Sequence, residues 1–259
     1  MRHRRRRELL LSFLGPLIVL GMWEFLSRTG LIDDRFWPAP TSLIDTLMDE
    51  VRSGALFTNL RISLVRVFIG FVIAAVPGVI IGLAMGLYWP IRVLLMPLAT
   101  AIYAIPKLAV LPLTVIIFGI GESSKVAIIV VSIFFLIVLN TMSGVLAIDP
   151  MYRDVARNMG ASRWQMFTTV AWPGALPAIF TGFRLAIGFA LLVIVGTEFL
   201  DGSKREPNGI GWYIIRSWNL LKIDDLFVGL LVIALVAWIL NVLLELIERR
   251  LLPWRPEDS

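Results

Sequence analysis

The stretch Ile62–Leu87 reads ISLVRVFIGFVIAAVPGVIIGLAMGL and decides the fold class. It carries no charge apart from Arg66, and a helix of about 20 apolar residues spans the hydrocarbon core of a bilayer. Small residues recur at every fourth position, so they share one helix face and let another helix approach closely inside a membrane. They are Gly70, Ala74, Gly78, Gly82 and Gly86. We therefore predict a membrane-spanning helix at the centre of a helical bundle.

The whole chain has the composition of an integral membrane protein. Apolar residues make up 58% of it and the mean hydropathy is +0.84, both too high for a soluble domain. Unpaired backbone groups are not tolerated in lipid, so the spans must be helical. Long apolar stretches lie at residues 9–26, 62–87, 92–119, 125–147, 179–200 and 226–247. The sequence predicts an all-α polytopic membrane protein with six transmembrane helices.

Two of these spans have special features. In the third, Pro97, Pro106 and Pro112 each remove a backbone donor, which predicts a kinked or split span. The fifth repeats the small-residue row, with Ala178, Gly182, Ala186 and Ala190. Such rows serve packing within a chain or contact between subunits, and both uses stay open here.

Positive charge sets the expected orientation. Arginines concentrate at Arg2–Arg7, and the inner loops that follow carry few acids, so the N-terminus, the loop Asp149–Ala178 and the C-terminus are expected in the cytoplasm. The first apolar run is longer than the hydrophobic core of a signal peptide and is expected to stay uncleaved. We divide the chain into residues 1–59 (basic tail, first span and an outer helix), 60–248 (membrane-spanning core) and 249–259 (cytoplasmic tail).

Several functional classes are excluded by what the sequence lacks. There is no cysteine and one histidine, so no disulfide, metal site or cofactor site is expected. The segment Gly119–Lys125 lacks the Gly-Lys-Ser/Thr ending of a phosphate-binding loop. No nucleophile–base pair is recognisable either, and the net charge of +5 reflects membrane orientation rather than nucleic-acid binding. We predict a protein that is not an enzyme.

Charges inside the spans are candidates for a substrate pathway, because an unpaired charge is costly in a bilayer. They are Lys107, Arg184 and Glu198. Lys107 lies between two prolines and fits either an anion pathway or a structural pairing. Charges nearer the membrane boundary are interpreted as interfacial, with side chains that reach water. They are Glu24, Arg61 and Arg66.

Two polar segments are expected to form helices outside the membrane. On the outer side, Ser42 and Asp45 have capping-box spacing before an amphipathic pattern, which fits packing on the spans or contact with a partner. On the inner side, Asp149 and Pro150 predict a helix start and Gly160 its end, and Ser162 is expected to cap a second helix that runs to Trp172. Two short helices joined by a glycine fit insertion into a partner's groove or a position on the lipid surface.

The inner loop resembles the EAA motif of type I ABC importer permeases. Asp154-Val155-Ala156 occupies the EAA positions, Gly160 follows after three residues, and Val170–Pro173 falls after nine more. Asp, Val and Trp depart from the pattern at three places.

The resemblance extends over most of the chain and is closest to the nitrate/sulfonate/taurine branch. The matching segments are Pro38–Pro40, Ser63–Val67, Gly70-Phe71, Ile105–Ala109, Pro112-Leu113, Phe118–Gly121, Ser124-Lys125, Thr181–Arg184 and Glu198.

This resemblance implies the type I importer permease fold with a cytoplasmic coupling-helix loop. Asp154, Val155, Ala156, Gly160, Ala161 and Ser162 would contact the ATPase. The implied partners are a second copy of the chain, two cytoplasmic ATPase subunits, an external substrate-binding protein and membrane lipid, without nucleic acid. The cargo is expected to be a small anion such as nitrate, bicarbonate, taurine or another sulfonate. The alternatives are an ABC importer permease whose cargo is a vitamin precursor and, as a different kind of protein, a self-contained secondary carrier.

Overall fold

Apolar stretches of the sequence form the long helices of the computed structural model, which describes residues 2–200 and 207–254, with side chains from residue 14. Within these residues there is no strand, as the all-α prediction requires. The helices are α1 (Arg2–Arg28), α2 (Pro40–Ser53), α3 (Ala55–Leu87), α4 (Trp89–Ala104), α5 (Leu111–Phe118), α6 (Glu122–Leu146), α7 (Pro150–Asn158), α8 (Arg163–Met166), α9 (Trp172–Leu200), α10 (Ile210–Asn219) and α11 (Ile223–Leu251). The side chains of the basic tail, residues 201–206 and residues 255–259 lie outside this description.

Several helices are long enough to cross a membrane. Four helices among the described residues are long and apolar enough to cross a membrane: α3, α6, α11 and the run Arg163–Leu200. The pair formed by α4 and Lys107–Phe118 is also long and apolar enough, and it is bent by 95°. The chain is therefore a multi-pass membrane protein, as predicted. The described residues contain four such helices, or five if the bent pair is one span, so the count of six stays a prediction.

The third span is broken, as its prolines predict. α4 ends at Ala104, and Ile105 is extended (φ −67°, ψ 130°) because the ring of Pro106 disfavours helical geometry in the residue before it. A 3₁₀ turn, Lys107–Val110, then leads into α5. The span is thus two helical pieces with irregular backbone between them.

The glycine row of α3 lies against α6. Gly70 faces Ile129, Gly78 faces Ile137, Gly82 faces Thr141 and Gly86 faces Val145. A Cβ atom at Gly82 would lie 2.6 Å from the carbonyl oxygen of Val138, so this close approach requires glycine. In the second row, Gly182 of α9 faces Asn140 of α6. Both rows therefore contact α6 of the same chain, and α3, α6 and α9 form the centre of the bundle.

The outer amphipathic helix is present, but its predicted capping box is wrong. α2 begins at Pro40, and the Ser42 hydroxyl donates to the Ala39 carbonyl instead of capping the helix start. Pro40 already has the φ angle of a first helical residue, so the helix begins three positions earlier than a Ser42 cap would place it. Leu43 is buried in a cluster with Ile210 and Val228, so α2 packs on the bundle.

Candidate functional site

The inner loop folds into two short helices, as the sequence predicts. The Asp149 side chain accepts a hydrogen bond from the amide of Met151 (2.9 Å) and caps α7. At the other end, Ala161 N–H donates to the Ala156 carbonyl and Gly160 N–H to that of Arg157. Gly160 has φ +78°, so α7 ends in a left-handed turn that favours glycine.

The second helix differs from its prediction. Ser162 and Gln165 form a capping box at its start, as the spacing suggests. The helix does not stop before Pro173, however: α8 passes into a π-helical segment, Phe167–Ala171, which continues directly into α9. Departures from α-helical bonding are common near a proline, because its ring lacks the N–H donor. The loop is thus joined to α9 by an unbroken helical path.

Four large apolar side chains of the loop are exposed. Met151 is 68% exposed, Tyr152 67% and Met159 83%, and Trp164 of α8 is 71% exposed. Large apolar side chains outside a membrane span rarely stay uncovered as a group. This set, Met151, Tyr152, Met159 and Trp164, is called the loop face below.

The predicted ATPase-coupling residues surround the loop face. Asp154, Val155, Gly160 and Ser162 are exposed, and Ala156 and Ala161 are half-buried. The structure thus places all six on one projection at one end of the bundle.

Lys107 caps the first half of the broken span. Its ammonium group donates to the carbonyl oxygens of Ile102 (2.7 Å) and Tyr103 (3.1 Å). Both belong to the last turn of α4, where carbonyl groups have no amide donor four residues further along the helix. Its Nζ lies 5.7 Å from the centre of the Tyr103 ring. No acidic side chain is paired with it among the described residues.

The other two pathway candidates are paired within the chain. Arg184 of α9 donates to the carboxylate of Glu248, near the end of α11. Glu198 is completely buried at the outer end of α9, where it accepts hydrogen bonds from Ser63 and from the amide of Gly211 (2.8 Å). Glu198 thus lies in the last turn of α9, and Arg184 lies near the middle of that helix.

Arg66 is the main correction to the sequence analysis. It was predicted to be interfacial, but its side chain is only 4% exposed and contacts two carboxylates, Glu198 (2.6 Å) and Glu122 (2.5 Å). A guanidinium group has five donors in a planar fork and can serve both acids at once. This pairing could not be predicted from local sequence, because the three residues come from α3, α6 and α9.

The chain before α10 is held by the same cluster. Asn59 accepts hydrogen bonds from the amides of Asn208 (3.2 Å) and Gly209 (3.0 Å), and Arg66 donates to the Asn208 carbonyl (2.8 Å). Lys125, which is also buried, donates to the Asn208 side chain (2.7 Å). The charged residues Arg66, Glu122, Glu198 and Lys125, called the outer charge cluster below, therefore tie α10 to the central helices.

Titrating groups outside the spans do not form a second site. Hydrogen bonds from Arg35 lower the pKa of Asp33 in the outer segment before α2. Burial raises the pKa of Tyr213 on α10. Among the described residues, no group of three or more His, Cys, Asp or Glu side chains could hold a metal ion.

Comparison with known proteins identifies the family of the chain. The sequence pattern described as "Binding-protein-dependent transport system inner membrane component" matches residues 78–255, which include the broken span, the loop and α9. The chain belongs to this family. Most of the core that was predicted from the sequence thus lies inside the family match.

Full-length relatives of the family are similar to the chain. It is 32% identical over 256 residues to the taurine transport system permease protein TauC of Escherichia coli, with 97% of this chain and 92% of TauC covered. A Bacillus subtilis protein with the provisional name aliphatic sulfonates transport permease protein SsuC is 31% identical, with 97% and 90% covered. The nitrate import permease protein NrtB of Leptolyngbya laminosa is 30% identical, with 91% and 85% covered. These relatives confirm the predicted nitrate/sulfonate/taurine branch.

Proposed function

We propose that the chain is the membrane-spanning permease subunit of an ATP-driven, binding-protein-dependent ABC importer. The observation that carries this is the loop face on a projection that continues helically into α9. In this function two cytoplasmic ATPase subunits bind the loops of two permease copies. Closure of the ATPase dimer moves the loops and switches the pore between its inward-facing and outward-facing states. The permease itself performs no covalent chemistry and needs no cofactor.

A protein groove suits the loop face better than a lipid surface does. Asp154 is exposed beside Val155 on the same helix. A carboxylate is repelled by the anionic lipids of a cytoplasmic leaflet, whereas a protein groove can offer it a partner. The apolar side chains are flanked by exposed charges of both signs, Asp154 and Arg157, and a protein groove can match both.

The remaining partners follow from the same function. The N- and C-termini lie in the cytoplasm and the chain is placed in the plasma membrane, the inner membrane of a bacterium. An external binding protein delivers the substrate to the outer side, where α2 and α10 lie. A second copy of the chain completes the pore, and lipid surrounds the pair without any nucleic acid.

The cargo is a small anion. The relatives are named for taurine, aliphatic sulfonates and nitrate, which all carry a compact anionic group. Lys107, at the break in the third span, supplies positive charge where irregular backbone can line a pathway. For Arg184 and Glu198 we propose structural roles instead, because each is already paired with an opposite charge in the chain.

The loop face gives a direct test. Changing Met151 and Met159 to Gln removes apolar contact but leaves two exposed, neutral side chains, so insertion into the membrane should be unchanged. Two buried methionines contribute a few kcal/mol to an interface, so co-purification of the ATPase subunit should fall by about tenfold or more. The amount of ATPase subunit retained by the tagged permease is the measurement.

The control is Leu220→Gln, which changes an exposed apolar residue (56%) at the other end of the bundle. It should retain the ATPase subunit at the wild-type ratio. Equal retention by the loop-face variant and the wild type would refute docking through this loop.

A further inference from the structure

Arg153 reaches back from the coupling loop to the membrane core. It lies on α7, but its side chain does not join the loop face. Its Nη2 atom donates to the carbonyl oxygen of Val145, in the last turn of α6, at 2.7 Å. The residues between these two helices, Ala147–Asp149, are not helical. The hydrogen bond therefore spans the only non-helical link between α6 and α7.

The contact suits the end of a helix. The last carbonyl groups of α6 lack helical partners and carry the negative end of the helix dipole, which favours a cation. The other donor to the Val145 carbonyl is the amide of Ile148, at a longer 3.4 Å. Arg153 is thus the closer donor and the charged one, and a hydrogen bond to a charged group is stronger than one between neutral groups.

Val145 is also where the three central helices meet at their inner ends. It is completely buried in a cluster with Leu83 of α3 and with Ala175 and Ile179 of α9. A Cβ atom at Gly86 of α3 would lie 2.5 Å from the Val145 Cβ atom, so these two helices are in direct backbone-to-side-chain contact. The helices are closely packed at this point, so one helix cannot move far without the others.

The loop is also connected to α9, through continuous helical backbone instead of a side-chain hydrogen bond. This connection passes through the π-helical segment Phe167–Ala171, whose bonding departs from the regular α-helix. Such segments are rare and occur often at functional sites. A displacement of α7 can therefore reach the core by two routes, directly to α6 through Arg153 and along the chain to α9.

We infer that Arg153 is a positioning residue that transmits movement of the coupling loop to the inner ends of α3, α6 and α9. This rests on the proposed function, since it presumes that an ATPase subunit moves the loop. Without the Arg153 hydrogen bond, α7 can pivot about Ala147–Asp149 while α6 stays in place. ATP hydrolysis then continues with less transport for each ATP consumed.

The test is made on vesicles that hold the permease with its ATPase subunit and binding protein. Taurine, ethanesulfonate and nitrate are offered in turn, and uptake and ATP hydrolysis are measured together. Arg153→Met keeps the length of the side chain but removes its donors, and should lower the anion imported per ATP by about tenfold, the usual scale for a charged hydrogen bond. Arg153→Lys keeps a charged donor and should recover most of the ratio.

The matched control is Arg249→Met near the end of α11, where the arginine pairs with the neighbouring Glu245 on an exposed surface. It should leave the ratio within about twofold of the wild type, since such pairs contribute little. A wild-type ratio in Arg153→Met, or an equal loss in Arg153→Lys, would overturn the inference. So would a loss of ATPase binding with a normal ratio in the complexes that remain.

The two proposals fail in different ways. If wild-type permease retains no ATPase subunit, the proposed function is wrong. If the wild type couples hydrolysis to uptake and Arg153→Met couples equally well, only the role of Arg153 is wrong.

Discussion

Lys107 has two physical tasks at the break in the third span. Its hydrogen bonds satisfy the last carbonyls of α4, and its charge is carried without an acidic partner among the described residues. An ammonium group has three donors, and two are accounted for by Ile102 and Tyr103. The cap and the attraction of an anion are therefore compatible, and substitution can separate them.

Lys107→Gln keeps a hydrogen-bond donor but removes the charge, whereas Lys107→Arg keeps both. If the charge attracts the anion, Gln should lower uptake by about tenfold at equal expression, because charges act strongly where water is scarce. Arg should retain most of the uptake. Initial uptake rates in vesicles decide between these results, and normal uptake by Lys107→Gln would leave Lys107 with its capping role alone.

The outer charge cluster shows where reasoning from single residues stops. Arg66 lies near a span boundary, so an interfacial position was the natural interpretation. Its pairing with Glu122 and Glu198 depends on the mutual approach of three helices, over 56 and 132 residues of chain. Gly160 is the opposite case, since the end of a helix is a local matter and its neighbours in sequence suffice to predict it.

The same contrast holds for whole elements. Apolar stretches predicted where helices cross the membrane, yet α3 begins at Ala55 instead of residue 62, because hydropathy marks the part in lipid and not the helix end. Prolines predicted the break at Pro106 correctly but not the continuation through Pro173. Proline removes one donor, and the surrounding helix decides whether that ends it or only distorts it.

The contact of α3 with α6 depends on the glycine row. At Gly82 a Cβ atom would lie 2.6 Å from both the Thr141 Cβ and the Val138 carbonyl oxygen. The backbone cannot yield as a flexible side chain does, so the two helices must separate. Gly188 of α9 provides the comparison, because a Cβ atom there meets nothing within 4 Å.

Gly82→Ala should therefore reduce the free energy of unfolding by about 1–3 kcal/mol, as overpacking of a core does. Gly188→Ala should be neutral or stabilising by up to about 1 kcal/mol, because alanine is the better helix former. Melting temperatures of the two variants in the same detergent give the comparison. Equal melting temperatures would mean that α3 and α6 are not held at this distance.

At the scale of the whole molecule, the chain combines a tightly packed centre with a lipid-facing periphery. The most apolar part of α6 is 50% buried, whereas that of α11 is 11% buried. The outer end is fixed by the charge cluster, and the inner end carries the loop face on two short helices. In the proposed importer, movement of the loop would therefore reach the rest of the bundle through α6 and α9.

The membrane class, the loop and the family were all accessible from the sequence, because each depends on local pattern or on a motif of fixed spacing. Which charges pair, and which helix covers each glycine row, depend on the packed structure. The cargo is hardest to predict, since in the proposed importer an external protein selects it and the permease needs only a pathway that tolerates it.

Transport by reconstituted vesicles tests the central claim most directly. Vesicles are made with the permease alone and with the permease, ATPase subunit and binding protein together, and are offered taurine, ethanesulfonate and nitrate with and without ATP. We predict that one of these anions accumulates only in the complete system and only with ATP. Accumulation by the permease alone, without nucleotide, would contradict the proposal that an ATPase partner drives transport through the inner loop.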